Sequence, residues 1–322
     1  MTELLEVKDL SISFRGESGN FSPLIDINFS LNKGQAVAIV GESGSGKTLS
    51  TNAIMRLLPS VATITNGKIK FDGEDITNAS ESVMKSLRGR RMAMVFQNAH
   101  KSLNPIISVG KQIADVYRQH FGGSKKVAWE RAVEALEATG IPDPNTRSRL
   151  YSYEYSGGMA QRAMIAMALA CKPDLLIADE PTSGLDVTIQ IQVLELIKKV
   201  TQETGAALII ITHDINIIKG MCERIVVMYS GMVMEEGDLE VIMKNPANPY
   251  TVALLACSVS NFDGFKFIPG RAPDPTNRSK GCPFVTRCEK AKQICSVSRP
   301  RLKMVMNRMV ACHFPVIDEE TC

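Results

Sequence analysis

The chain has 322 residues, 44% of them hydrophobic and 22% charged, with a formal net charge of +3. That composition excludes a disordered or fibrous chain, and so small a charge demands no nucleic-acid partner. No apolar run approaches the roughly 18 to 20 residues of a membrane-spanning helix, and the best candidate, Ala163 to Cys171, is stopped by Lys172 and Pro173.

In chain order, the N-terminus MTELLEVKDL is acidic and has no apolar core, so no signal peptide is expected and the protein is placed in the cytoplasm. Alternation predicts strands over residues 4–14 and 24–31. The run AVAIV at 36–40 predicts a short, wholly apolar strand that ends in a Gly-rich turn. A helix is expected from Lys47 to Leu58, with Pro59 beyond it. Residues 67–76 read as a hairpin turning at Asp72-Gly73, and residues 92–97 as another apolar strand. From about 99 to 170 the pattern is helical. One helix covers 126–139 and ends at Gly140, and another begins near Ser156 and runs through MAQRAMIAMALA. Two fully apolar strands, 175–178 and 207–211, are separated by a helix over 187–201. Wholly apolar strands alternating with helices predict a parallel sheet covered on both faces. Residues 225–237 read as a closing hairpin. The two ends are richer in strands than the middle, so the expected class is α/β, with a core interrupted by a helical insertion. After about residue 245 proline becomes frequent, and four of the eight cysteines fall between 282 and 312. Residues 261–322 hold 11 Lys and Arg against 6 Asp and Glu, so the positive charge lies in this tail.

The octapeptide Gly41-Glu42-Ser43-Gly44-Ser45-Gly46-Lys47-Thr48 matches G-x-x-x-x-G-K-[ST] and sits between an apolar strand and a helix. Its glycines let backbone N–H groups curl around phosphate oxygens, and the helix N-terminus adds partial positive charge. Lys47 is placed to reach the β- and γ-phosphates, and the Thr48 hydroxyl to ligate Mg²⁺. The strand LLIA delivers Asp179 and Glu180 to a sheet edge. There Asp179 can hold Mg²⁺ and Glu180 can polarise a water attacking the γ-phosphate. A helix cap and a surface acid would explain either carboxylate alone better than the pair. His213 follows IIIT at a second strand end. A lone histidine is more often structural, but this position shares the edge of Asp179 and points to a γ-phosphate contact.

Tyr155-Ser156-Gly157-Gly158-Met159-Ala160-Gln161, some 20 residues before Asp179, resembles the L-S-G-G-Q signature of ATP-binding-cassette (ABC) ATPases. It departs from that signature at Tyr155 and Met159. Ser156 is expected to cap a helix whose glycines leave N–H groups free for an anion. The resemblance implies that Ser156 and Gly158 contact the γ-phosphate of ATP held by an opposite subunit, so that the chemistry requires a dimer. Gln97 after MAMVF resembles the glutamine that senses Mg²⁺ and water, and Ser183-Gly-Leu-Asp186 resembles the loop that crosses the dimer interface. Phe14 stands where the family stacks an aromatic ring on adenine, although a strand core residue is the competing reading. The implied fold is a P-loop NTPase (RecA-like) core with an antiparallel β subdomain and a helical insertion over about 99–164. The implied activity is hydrolysis of ATP to ADP and phosphate, with Glu180 as base and Lys47, Mg²⁺ and His213 around the phosphates.

Asn245-Pro-Ala-Asn248-Pro-Tyr250-Thr-Val-Ala-Leu-Leu resembles the N-P-x-H-P-Y-T-x-x-L-L stretch of the oligopeptide/dipeptide (and nickel) importer ATPases, with Asn248 in place of histidine. The stretches 96–105 and 177–190 look like the same subfamily. The implied organisation is a nucleotide-binding domain over 1–245 and a Cys-rich C-terminal extension over 246–322. The implied partners are two transmembrane permease subunits, a second ABC ATPase (a paralogue in a heterodimer) and a solute-binding protein. The implied location is peripheral, on the cytoplasmic face of the inner (plasma) membrane. A soluble ABC ATPase of DNA repair or translation is the alternative, but such chains usually carry two cassettes or long coiled coils. Cys282, Cys288, Cys295 and Cys312 are soft ligands in a compartment where disulfides are not expected. Free thiols, zinc and an iron–sulfur centre are all open on these residues, and the spacing lacks the tight C-x₂₋₄-C pairs of structural zinc. Members of the importer subfamily with this cysteine pattern are associated with a [4Fe–4S] cluster, so the resemblance implies one here, and Lys280, Arg287, Lys290, Lys292 and Arg308 would offset its negative charge. Cys171, Cys222 and Cys257 are expected to be small core residues.

Overall fold

The computed structural model describes residues 3–16, 19–258 and 267–316. Cys322 therefore lies outside the described residues. In chain order the elements are β1 (Glu3–Gly16), β2 (Gly19–Asn32), β3 (Ala36–Val40), α1 (Lys47–Ile54), β4 (Ala62–Phe71), β5 (Glu74–Asp75), α2 (Glu81–Leu87) and β6 (Met92–Val95). A helical stretch follows with α3 (Ala99–Ser102), α4 (Val109–Phe121), α5 (Lys125–Ala138), α6 (Pro144–Arg147) and α7 (Gly157–Leu169). Then come β7 (Leu175–Asp179), α8 (Val187–Thr204), β8 (Ala207–Thr212), β9 (Arg224–Tyr229), β10 (Met232–Asp238), α9 (Leu239–Lys244) and α10 (Pro249–Ser258). The tail holds α11 (Gln293–Val297), β11 (Lys303–Val305) and β12 (Arg308–Val310). The described residues form two compact units, one of 1–32, 36–78 and 212–322 and one of 33–35 and 79–211.

The first unit contains an antiparallel sheet of order β2-β1-β4-β5 and a run of strands β11-β12-β10-β9-β3. In the antiparallel sheet Leu10 and Ile12 of β1 and Ile27, Phe29 and Leu31 of β2 are buried while Ser11, Asn28 and Ser30 between them are half-buried, as alternation requires. The turn from β4 to β5 has Asp72 at φ 50° and Gly73 at φ 84°, the paired positive φ of a tight hairpin. β3 runs parallel to β9, whereas β10 is antiparallel to both β9 and β12.

The second unit contains β6, β7 and β8, all parallel. Every residue of these three strands is buried, so they cannot alternate and read as unbroken apolar runs. Around them pack the helices of the insertion, α4 on α5 and α5 on α7.

Several elements differ from expectation. β2 begins at Gly19 and β4 at Ala62, each five residues earlier than the sequence pattern predicts. α1 stops at Ile54, four residues short, because Arg56 turns left-handed (φ 50°) and Leu57 N–H closes on Asn52 O at 2.7 Å. α8 continues to Thr204 and ends on the left-handed Gly205. In the tail, the short hairpin β11–β12 joins β10 through Glu235↔Val310 and Glu236↔Met309. Cys171 and Cys222 are buried as expected, but Cys257 is exposed near the end of α10 and is not a core residue.

Candidate active site

The phosphate loop lies in the first unit, between β3 and α1. Gly41, Gly44 and Gly46 all have positive φ. At Gly41 a Cβ would fall 2.1 Å from the Met228 carbonyl oxygen, so only glycine fits. Gly46 caps α1 without a side-chain hydrogen bond, which leaves the first N–H groups of the helix facing the loop. Ser43, Gly44 and Thr48 are exposed, whereas Lys47 is buried. Lys47 Nζ donates to Gly41 O at 2.8 Å and Glu42 O at 2.9 Å. Ser45 Oγ is buried with no hydrogen-bond partner among the described residues, an orphan that an anion in the loop would satisfy. Phe14 of β1, half-buried, packs on Phe21 with ring centroids 5.6 Å apart. His213, also in this unit, is exposed just beyond β8.

The second unit carries Asp179, Glu180, Gln97, Ser156 and Gly158. Asp179 is the buried last residue of β7. Glu180 follows with φ 44°, a strained conformation for a non-glycine residue, held by its N–H donating to Ile211 O at 2.9 Å. Gln97 Nε2 donates to Glu180 Oε2 at 2.9 Å and to Ser183 Oγ at 3.3 Å, so the structure brings these three together. Asp186 caps α8 by accepting the Ile189 N–H at 3.0 Å. Ser156 caps α7 as expected, accepting the Met159 N–H at 3.3 Å, and both Ser156 and Gly157 are exposed. The departure Tyr155 is buried, its hydroxyl donating to Arg147 O at 2.9 Å, and burial pushes that phenol up to about 12. The ring thus fills an apolar site and satisfies its polar end.

The four tail cysteines line one cavity in the first unit, together with Phe284, Lys290 and Phe314. Burial pushes the Cys282 thiol up to about 11, with Cys312, Cys295 and Cys288 acting in the same direction. Among the described residues, however, no group of three or more His, Cys, Asp or Glu is arranged to hold a metal ion. The proposed charge compensation is also mostly spent elsewhere. Arg287 pairs with Glu42, Arg308 with Glu235, Lys292 stands 4.2 Å over the Phe314 ring, and Lys280 borders another cavity. Of the five cations named, only Lys290 lines the cysteine cavity. In the sequence Arg287 is one of the cations expected to offset a cluster's charge, but in the fold it serves another partner. Its partner Glu42 is 245 positions away, and no local pattern could have found it.

Residues 24–183 match the family model described as ABC transporter. The chain is 46% identical, over 91% of its length and 84% of the relative's, to the oligopeptide transport ATP-binding protein OppD of Bacillus subtilis. The chain belongs to the ABC transporter family. It is an ATP-hydrolysing cassette with a P-loop NTPase fold of mixed α/β class. It is also 42% identical to the dipeptide transport ATP-binding protein DppD of Escherichia coli, over 98% of both chains. Residues 234–295 match a second family model, the oligopeptide/dipeptide transporter C-terminal region. Among solved structures, a dimeric post-hydrolysis ATP-binding cassette bound to ADP and phosphate is 27% identical with TM-score 0.66, covering 73% of this chain and 99% of its own. The cassette cbiO1 from Clostridium perfringens, part of a transporter complex, is 27% identical with TM-score 0.64, covering 76% and 92%. Among the described residues, no helix of the cassette is long and apolar enough to cross a membrane.

Proposed function

We propose that this cassette powers uptake of peptides or a related small solute through two separate transmembrane permease subunits, at the cytoplasmic face of the membrane. The observation that carries this reading is the match of residues 234–295 to the peptide-transporter C-terminal region, on a chain similar over nearly its whole length to peptide-transport ATPases. A second cassette, a paralogue of this one, would complete the pair, and a solute-binding protein would deliver the cargo. The exposed Ser156 and Gly157 at the start of α7 suit contact with nucleotide held by that second chain.

In this reading Phe14 stacks on adenine, the loop 41–48 wraps the phosphates and Lys47 neutralises charge that develops on them. Glu180 orients the attacking water, Gln97 fixes the Glu180 carboxylate, and His213 contacts the γ-phosphate. The Thr48 hydroxyl, the Gln97 amide oxygen and the Asp179 carboxylate are hard oxygen donors suited to Mg²⁺, which would supply charge neutralisation at the phosphates. Cys282, Cys288, Cys295 and Cys312 would hold a [4Fe–4S] cluster, which would tie separate tail segments together. Four soft ligands around one cavity support that reading.

The test uses the assembled complex of both cassettes and the permease subunits. Glu180→Gln should abolish turnover and leave ATP trapped, and peptides should stimulate hydrolysis by the unaltered complex. Undiminished hydrolysis by the Glu180→Gln complex would overturn the assignment of the base, and stimulation by neither peptides nor a related small solute, with the solute-binding protein present, would overturn the cargo. For the tail, anaerobic purification should yield a brown protein containing iron. A colourless preparation with stoichiometric zinc would refute the cluster.

A further inference from the structure

The first residue after the leading glycine of the phosphate loop, Glu42, is gripped from the C-terminal extension. Arg287 donates from Nη1 to Glu42 Oε2 at 2.7 Å and from Nη2 to Glu42 Oε1 at 3.0 Å, a bidentate fork. The remaining donors of the same guanidinium are also used. Nη1 donates to Tyr229 Oη at 3.1 Å, Nη2 to Ile268 O at 3.0 Å and Nε to Pro269 O at 2.8 Å. All five N–H groups of Arg287 therefore have acceptors, and its side chain is only 5% exposed. A residue placed merely to colour a surface would not be so completely committed.

The backbone of Glu42 is held as well. Its N–H donates to Tyr250 Oη at 3.0 Å, and its carbonyl accepts the Lys47 ammonium at 2.9 Å. Tyr229, Tyr250 and Phe284 form one aromatic cluster, with centroids 4.5 to 5.3 Å apart, and Arg287 lies 5.7 Å over the Tyr229 ring. Phe284 and Arg287 belong to the short turn between Cys282 and Cys288, so the wall of the cysteine cavity and the grip on Glu42 are one piece of chain.

We infer that Arg287 is a positioning residue for ATP hydrolysis. Through Glu42 it fixes the carbonyls that hold Lys47 and hence the shape of the phosphate loop. The C-terminal extension is thereby part of the nucleotide site, whatever the cargo and whatever the cysteines bind. The inference rests on the loop 41–48 being the ATP site and on no other part of the proposed function.

The experiment measures ATP KM and kcat of the assembled complex, with fluorescent-nucleotide titration of the isolated chain as a second readout. Arg287→Ala and Glu42→Gln should each raise the KM for ATP about tenfold, which corresponds to about 1.4 kcal/mol, while changing kcat far less. Arg287→Lys keeps the charge but not the fork and should recover only part of the loss. The double variant should be no worse than either single one, because both remove the same link. Glu42→Gln leaves the tail's own bonds in place, so a folding failure of Arg287→Ala does not remove the test. Met304→Ala, at an exposed position of the tail's edge strand β11, should leave KM unchanged. Unchanged KM in Glu42→Gln, multiplicative losses in the double variant, or an equal rise in Met304→Ala would overturn the inference. The reading of Glu180 stands or falls separately, on turnover by Glu180→Gln.

Discussion

Replacing Arg308 by methionine should loosen the C-terminal extension from its sheet. Glu235 in β10 and Arg308 in β12 are both almost inaccessible to solvent. Arg308 Nε stands 3.6 Å from Glu235 Oε1, and opposite charges at that distance attract by about 4.6 kcal/mol at an effective dielectric near 20. The same carboxylate accepts the N–H groups of Ala247 at 2.8 Å and Asn248 at 3.0 Å, so it anchors the start of α10 as well as the tail hairpin. Methionine keeps most of the alkyl volume but leaves a buried carboxylate with two N–H donors and no counter-charge. Removing one member of a buried pair costs about 3 to 5 kcal/mol. The lower end applies here, because the pair lies beyond hydrogen-bond distance and the guanidinium's own desolvation is relieved. At an unfolding entropy of about 2.1 cal/mol/K per residue, about 3 kcal/mol lowers the thermal midpoint of a 322-residue chain by about 4 °C. Thermal unfolding followed by circular dichroism measures it directly. The double variant Glu235→Gln/Arg308→Met should regain a large part of the loss, since a neutral amide oxygen still accepts an N–H and no charge is left buried. A loss below about 1 kcal/mol, or a double variant no more stable than Arg308→Met, would show that the pair is solvated like a surface ion pair and would refute the reasoning.

Gly41→Ala should abolish nucleotide binding, since the added methyl would meet the Met228 carbonyl at 2.1 Å and the loop must move; fluorescent-nucleotide titration reads this, and undiminished affinity would mean that the loop shape is not used. Burial pushes the Cys222 thiol up to about 12 from its ordinary value of 9.0, so the unfolded chain loses that proton first. Its contribution to stability is therefore full below about pH 9 and falls as pH rises toward 12, by about 1.4 kcal/mol per unit at most. Thermal midpoints measured between about pH 8 and 11 should fall less steeply in Cys222→Ala than in the unaltered chain, and parallel curves would rule the thiol out as the cause.

What was legible in the sequence was what a short window contains. β3 and β7 are apolar runs whose ends deliver Gly41 and Asp179, and the signature serine caps α7 through a bond only three residues long. The grip of Gln97 on Glu180 crosses 83 positions, and that of Arg287 on Glu42 crosses 245, so composition and periodicity say nothing of either. The tail hairpin escaped for a different reason. Its strands are three residues long, too short for a period to register, and they persist by adding to β10.

Asn248 shows the same limit from the other side. The sequence marks it as a departure from the histidine of related chains, but not what it does. In the fold its side-chain amide donates to Met234 O and to Ala311 O, both at 3.0 Å, and its oxygen accepts the Tyr250 N–H at 2.9 Å. A neutral imidazole has one donor and one acceptor and could meet at most two of those three demands. The asparagine therefore binds β10, the start of α10 and the end of the tail into one network, and Tyr250, whose hydroxyl receives the Glu42 N–H, stands two residues beyond it. A change that looks like the loss of a family residue is, in this chain, a third hydrogen bond in the support of the phosphate loop.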